Sequence, residues 1–172
     1  FTTAGLTAGT VAIHTDSGTA TGGGTTSLTD AAGGWTNDEW INGGLKITRN
    51  TDSSVHYVVI TDNDSTTLTF ATPGFAIVSS DTYSIQAGGL TLTSNVNEIS
   101  TVAATTHLCV MPPAFAGERV TVINTSGTSM RLYPFLDDDL GAGVNTLTNL
   151  AVGANITYIA YDSTPSVWVA VT

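Results

Sequence analysis

The residues of this chain best placed by type to do chemistry lie in GGWTNDEWINGG, residues 33–44. Trp35 and Trp40 stand beside Asp38 and Glu39. Indoles next to carboxylates are the ingredients of a sugar-stacking platform or of an acid/base pair. The spacing also has a structural reading. Thr36-x-x-Glu39 fits the capping box, in which the Thr hydroxyl accepts from the Glu amide and the Glu carboxylate accepts from the Thr amide. With Thr36 at the N-cap, Trp35 and Trp40 fall at the two positions of a hydrophobic staple. Asp38 and Glu39 then sit in a first turn, where the helix dipole favours them. Asn42-Gly43-Gly44 ends the turn. The expectation is one helical turn, with Trp35, Thr36, Glu39 and Trp40 in structural roles, feeding a strand at Leu45.

The other reactive types are dispersed. His14, His56 and His107 are far apart and in no two-His metal spacing. Asp62-Asn63-Asp64 lacks the glycine and the bidentate glutamate of a calcium loop and reads as a turn. Asp137, Asp138 and Asp139 are adjacent carboxylates whose repulsion a cation or a neighbouring subunit's arginine would relieve, although solvated loop acids are the plainer expectation. Cys109, the single cysteine, lies in the apolar run HLCVMPP and reads as a buried, inert thiol. Gly22–Gly24 is followed by no lysine or helix pattern, so it is not a phosphate cradle. No nucleophile elbow, zinc-protease helix or dinucleotide fingerprint occurs. No catalytic residue, metal or cofactor is therefore expected, and no enzyme activity.

The elements that must position these residues are strands. Of 172 residues, 41% are hydrophobic and only 10% charged, so a core can form while hydroxyls, not charges, wet the surface. Threonine is the commonest residue, and its β-branch favours a pleated strand. Fourteen acids against Lys46, Arg49, Arg119 and Arg131 give a net charge of −10. Scattered cations cannot displace the counterions of a nucleic acid, and an anionic membrane would repel the chain. No apolar run reaches membrane-spanning length. The sequence starts at Phe1 without a methionine, as a trimmed or processed N-terminus would.

Short alternating runs bounded by Gly, Asn, Asp and Ser recur throughout. TVAIHT (10–15), LKITRN, HYVVIT, TTLTF and TYSIQ read as strands of a first module. LTLTS, EISTV, HLCVM, RVTVIN, MRLYPFL, ITYIAY and VWVAVT read as strands of a second. NTSGTS (124–129) and DSTPS (162–166) read as hairpin turns, and 137–155 as one long irregular loop. The fold expected is all-β: an N-terminal arm and first strand over 1–16, a β module over 17–86, and a β-sandwich module over 90–172. The modules would be small sandwiches or barrels, and QAGGL (86–90) a short glycine hinge between them.

With those pieces placed, the first module, through GTATGGGTTSLTDAAGGWTNDEWINGGLKIT and STTLTF…DTYSIQ, resembles the virion surface proteins of tailed bacteriophages, notably head decorations and head fibres. The second is similar through MPPAFAGERVTVINTSGTSMRLYPF, LAVGANITYIAY and VWVAV. The resemblance implies a structural capsid decoration, or cement, protein on the outer surface of the phage head. It also implies a homotrimer, the major capsid protein as partner, and no nucleic acid or membrane. Phe1, Leu6, Val11, Ile13, Asp137, Asp138, Asp139 and Leu140 are the expected subunit or capsid contacts. One alternative is a receptor- or glycan-binding fibre tip with Trp40, Tyr133, Tyr161 or Trp168 as stacking rings. Another is an extracellular β-rich filament in which Thr10–Thr15 is donated to the next copy.

Overall fold

Alternation this pervasive should leave no room for a long helix. The computed structural model describes residues 2–161 and 167–171, with side chains from residue 5 onward, and every regular element among them is a strand. These are β1 (Thr2–Thr7), β2 (His14–Thr19), β3 (Gly22–Gly23), β4 (Ser27–Thr29), β5 (Gly44–Thr48), β6 (Val55–Asn63), β7 (Thr67–Phe70) and β8 (Thr82–Ala87). There follow β9 (Leu90–Thr91), β10 (Val96–Thr101), β11 (Leu108–Val110), β12 (Arg119–Asn124), β13 (Met130–Tyr133), β14 (Thr148–Leu150), β15 (Asn155–Ala160) and β16 (Trp168–Val171). The DSTPS turn lies outside the described residues. The chain is all-β.

Two compact units form, and their boundaries differ from the expected ones. One is Ile13–Ala87; the other joins the segment up to Ala12 with the segment from Gly88 onward. The N-terminal arm is thus not free. β1 adds to the open side of β10 in parallel, with Thr2 opposite Val96 and Thr7 opposite Thr101. Nor is Thr10–Thr15 a strand. Gly9 bridges to Leu108, and the next strand begins only at His14. The cause is a close backbone crossing: a Cβ on Gly9 would lie 2.2 Å from the carbonyl carbon of Gly89. Gly89 itself has φ +67°, which favours glycine. Gly89, read from sequence as part of a hinge, thus serves a tight contact with Gly9.

In the 13–87 unit, one antiparallel sheet runs β2-β8-β5-β6-β7-β4-β3. Its two end strands, β2 and β3, are successive pieces of one chain segment, so the sheet closes on itself as a small barrel. β6 carries the curvature, pairing β5 along its first half and β7 along its second, where the register shifts between Ile60 and Asp62. Alternation sends Leu45, Ile47, Leu68, Phe70, Tyr83 and Ile85 into the core.

The other unit has a different logic. From β9 the chain alternates between two sheets: β9, β11 and β13 stack in parallel in one, while β10 and β12 stack in parallel in the other. Each pass through both sheets is one coil. β14 and β15 then pair antiparallel to β13 and β12, and β16 antiparallel to β15 ends the stack, giving the orders β14-β13-β11-β9 and β1-β10-β12-β15-β16. The core includes Ile99, Cys109, Met111, Val120, Val122, Leu132, Tyr158 and Trp168, drawn from both sheets.

Residues 124–129 are consequently no hairpin, because β12 and β13 lie in different sheets. They turn the corner between sheets, and Asn124, fully buried, holds that corner. Its Nδ2 donates toward the carbonyls of Thr128 (3.0 Å), Ala151 (3.1 Å) and Leu150 (3.3 Å). Its Oδ1 accepts from the amide and hydroxyl of Ser126 at 3.1 and 2.7 Å. The 137–155 segment is not wholly irregular either, since it contains β14.

Candidate functional site

The tryptophan segment forms turns, not a helix. Glu39 N donates to the Thr36 carbonyl and Gly43 N to that of Trp40, closing two successive four-residue turns. The third residue of each, Asp38 and Asn42, has φ +64°, which a right-handed helical turn forbids. Half of the capping box survives: the Thr36 amide donates to Glu39 Oε2 at 3.0 Å. The helical alternative fails because Asn63, at the end of β6, supplies a better partner. Asn63 Oδ1 accepts from the Trp40 amide at 2.8 Å and its Nδ2 donates to the Thr36 carbonyl at 2.8 Å.

Both indoles are buried, Trp35 with 6% and Trp40 with 3% of its surface exposed. They do not staple one another. Trp35 donates its Nε1–H to Asp16 Oδ2 at 2.7 Å and meets the Tyr83 ring edge-on at 6.0 Å. Trp40 packs against the His14 imidazole at 4.6 Å, and His14 Nε2 stands 4.0 Å from Glu39 Oε1.

This places two carboxylates and a phenol near one another under Gly18, the arrangement closest in kind to an acid/base centre. Tyr83 donates to Asp30 Oδ2 at 2.7 Å, and the Ala32 amide donates to Asp30 Oδ1. Burial first, then the Asp30 hydrogen bond and charge, push the Tyr83 phenol above its ordinary value, so it stays protonated. Both acids are thus engaged as acceptors for aromatic side chains. Gly18 leaves no free volume above them, because a Cβ there would sit 2.6 Å from the Tyr83 hydroxyl and 2.9 Å from Asp30 Oδ2. The pair is chemically a buried acceptor set that fixes two rings.

The aspartates at 137–139 each take separate donors. Asp137 Oδ1 accepts from Asn145 Nδ2, and the Asp137 amide donates to Asn145 Oδ1. Asp138, buried, accepts at Oδ2 from Trp168 Nε1 and the Ala114 amide, both at 3.3 Å. Asp139 Oδ1 accepts from the amides of Gly141 and Gly143. Among the described residues no three His, Cys, Asp or Glu side chains gather as a metal-binding group. Asp64 accepts the amides of Thr66 and Thr67 and shapes the turn after β6; these bonds hold its carboxyl below the usual value. His56 packs on Phe75 and lies 3.1 Å from the Ser54 hydroxyl. Cys109 is fully buried, and that burial pushes its thiol up to about 12.

Several expected contact residues face their own core. Leu6 packs against it half-buried, Leu140 is part of it, and Asp138 is buried. Leu6 and Leu140 follow the core because they are apolar, and Asp138 is held there by the Trp168 indole and the Ala114 amide that donate to it. Val11 is exposed, Ile13, Asp137 and Asp139 are half-exposed, and Phe1 lies outside the described residues. Of the four candidate stacking rings, Trp40 and Trp168 are buried, Tyr133 is half-buried and Tyr161 is 72% exposed. Sequence reasoning overlooked Asn124 and the outward row of the five-stranded sheet. The second had a readable signal in the alternation of RVTVIN, whose Thr121 and Ile123 face away from Val120 and Val122.

The chain matches no family model, no curated protein and no solved structure.

Proposed function

We propose that this chain is a structural decoration protein of a tailed-phage head, seated on the outer face of the capsid as an oligomer of its own copies and stabilising the shell. The observation that carries this reading is how the conspicuous chemistry is used. Asp16, Asp30, Asp138 and Asn63 each satisfy a buried ring or amide, and the tryptophans fill the cores. The open surface includes Val- and Thr-rich sheet, suited to broad contact with a repeating partner. An acidic chain without a basic cluster also fits a place outside the shell, away from packaged nucleic acid. Several copies held together present linked footprints, so weak single contacts give high occupancy.

The test is to strip the protein from mature heads, add it back in purified form, and locate it by cryo-EM. Restored density on the outer shell, with resistance to heat and osmotic shock recovered, is the expected result. Heads equally stable without the protein, and showing no added density, would end this reading.

A further inference from the structure

We infer that the outer face of the five-stranded sheet is a self-association surface, on which a second copy of this chain packs face to face with its strands reversed. Register defines the face. Val96 of β10, Thr121 of β12, Thr157 of β15 and Val171 of β16 form one continuous row across four strands. Above it lie Ile159 and Val169, opposite each other, and below it Ile123. Their neighbours along each strand, Val120, Val122, Tyr158 and Trp168, point into the core. Val169 and Val171 expose 43% and 42% of their surfaces, and the rest of the row is partly exposed. The Thr121 and Thr157 hydroxyls lie 2.8 Å apart and bond to each other, so the middle of the face asks little of water.

Charge identifies the occupant. At a net charge of −10, two copies repel each other over most orientations. On β10, β12, β15 and β16 this face carries only one acid and one base, Glu98 and Arg119, and is neutral. They also sit at opposite ends: Arg119 shares a row with Ile159 and Val169, whereas Glu98 shares a row with Ile123 and Asn155. Four residues of strand separate the rows, about 13 Å. A copy laid on with strands reversed puts the Arg119 end of each over the Glu98 end of the other, and the contact is isologous. Three copies around an axis parallel to the strands would hold like charges level instead. The layout therefore favours a pair over the threefold arrangement that the phage resemblance implies.

The inference rests on self-association in the proposed reading but not on capsid binding, and its test needs no capsid. Sedimentation velocity and native mass spectrometry of the full chain should show a dimer. The Val169→Asp/Val171→Asp pair should weaken it by about tenfold or more, whereas Val78→Asp, an equally exposed valine of the other unit, should not. Glu98→Arg and Arg119→Glu should each weaken it, and the double swap should restore it. Hydroxyl-radical footprinting of the unmodified protein gives a reading independent of variant folding, with Val169 and Val171 protected as concentration rises. A monomer, a trimer, an assembly indifferent to these substitutions, or unprotected valines would overturn the inference. Loss of head binding with the dimer intact would instead remove only the capsid reading.

Discussion

Asn124 is the residue whose removal should cost the coiled unit most for its size. Its side chain closes the corner where the chain leaves one sheet for the other, and nothing in the apolar core can replace it. Two Nδ2 hydrogens serve three carbonyls, so the contact with Leu150 O, at 3.3 Å, is shared. In Asn124→Ala, Thr128 O keeps the Ser126 hydroxyl as a donor at 2.8 Å. Leu150 O loses its side-chain donor, and the Ser126 amide loses its acceptor. Each stranded buried group costs about 1–3 kcal/mol, and the vacated volume adds to it, so we expect a loss of about 3–5 kcal/mol. That is a large fraction of the 5–15 kcal/mol typical of a whole domain.

Cys109 gives the assay. It lies in the core of the same unit, fully buried, with its thiol pushed up to about 12 by burial, so a thiol reagent reaches it only when this unit opens. Labelling under native conditions then reports the unit containing Asn124, without interference from the tryptophans of the other. A loss of 3–5 kcal/mol predicts labelling faster by roughly a hundred- to a few thousandfold. Asn124→Asp keeps the shape and the acceptor oxygen for both Ser126 donors but has no donors of its own. At neutral pH it should label at least as fast as the alanine variant, and relative to that variant at the same pH it should slow as the pH falls and the carboxyl gains a proton. Labelling within fivefold of the unsubstituted chain for both variants would refute the corner argument.

Gly9→Ala should cost about 3 kcal/mol by the same labelling assay, because its Cβ would collide with the Gly89 backbone, whereas Gly127→Ala, facing open space, should change stability by about 0.5 kcal/mol or less. Glu118 has a buried Oε2 without a hydrogen-bond partner, and burial raises its carboxyl above the ordinary 4.5. The neutral acid is thus favoured in the fold, and stability is lost as pH rises through the shifted value. Glu118→Gln should match the unsubstituted chain below pH 4.5 and melt higher at neutral pH, by an amount worth less than about 1 kcal/mol. Trp35→Phe should destabilise the barrel unit by about 1–2 kcal/mol in urea unfolding, since Asp16 loses its indole donor; Asp16→Asn, which can still accept, should cost less.

The strands were legible because alternation survives in the chain itself. RVTVIN reads as half-buried from its residue types, and the folded strand buries Val120, Val122 and Asn124 while leaving Thr121 and Ile123 toward the surface. Parallel coiling was not legible, because parallel and antiparallel strands share the same period of two. Only the partner distinguishes them, and the partner of Thr2–Thr7 lies more than ninety residues downstream. The tryptophan turn failed for a related reason. Its capping-box spacing is local, but the donor and acceptor that decided its shape belong to Asn63, fixed by a different strand. Candidate sites follow the same division. Trp35, Trp40 and Asp138 attract notice by type, and for that same reason they are drawn inside: large rings gain most from burial, and their polar edges then require buried acceptors. Val96, Thr121, Thr157 and Val171 are unremarkable one at a time. They become a surface only once register sets them side by side, which four strands separated in sequence must agree on. In a chain that keeps its charges few and its tryptophans buried, binding is therefore to be sought in what pairing assembles, and Val169 and Val171 are where a single pair of substitutions can break it.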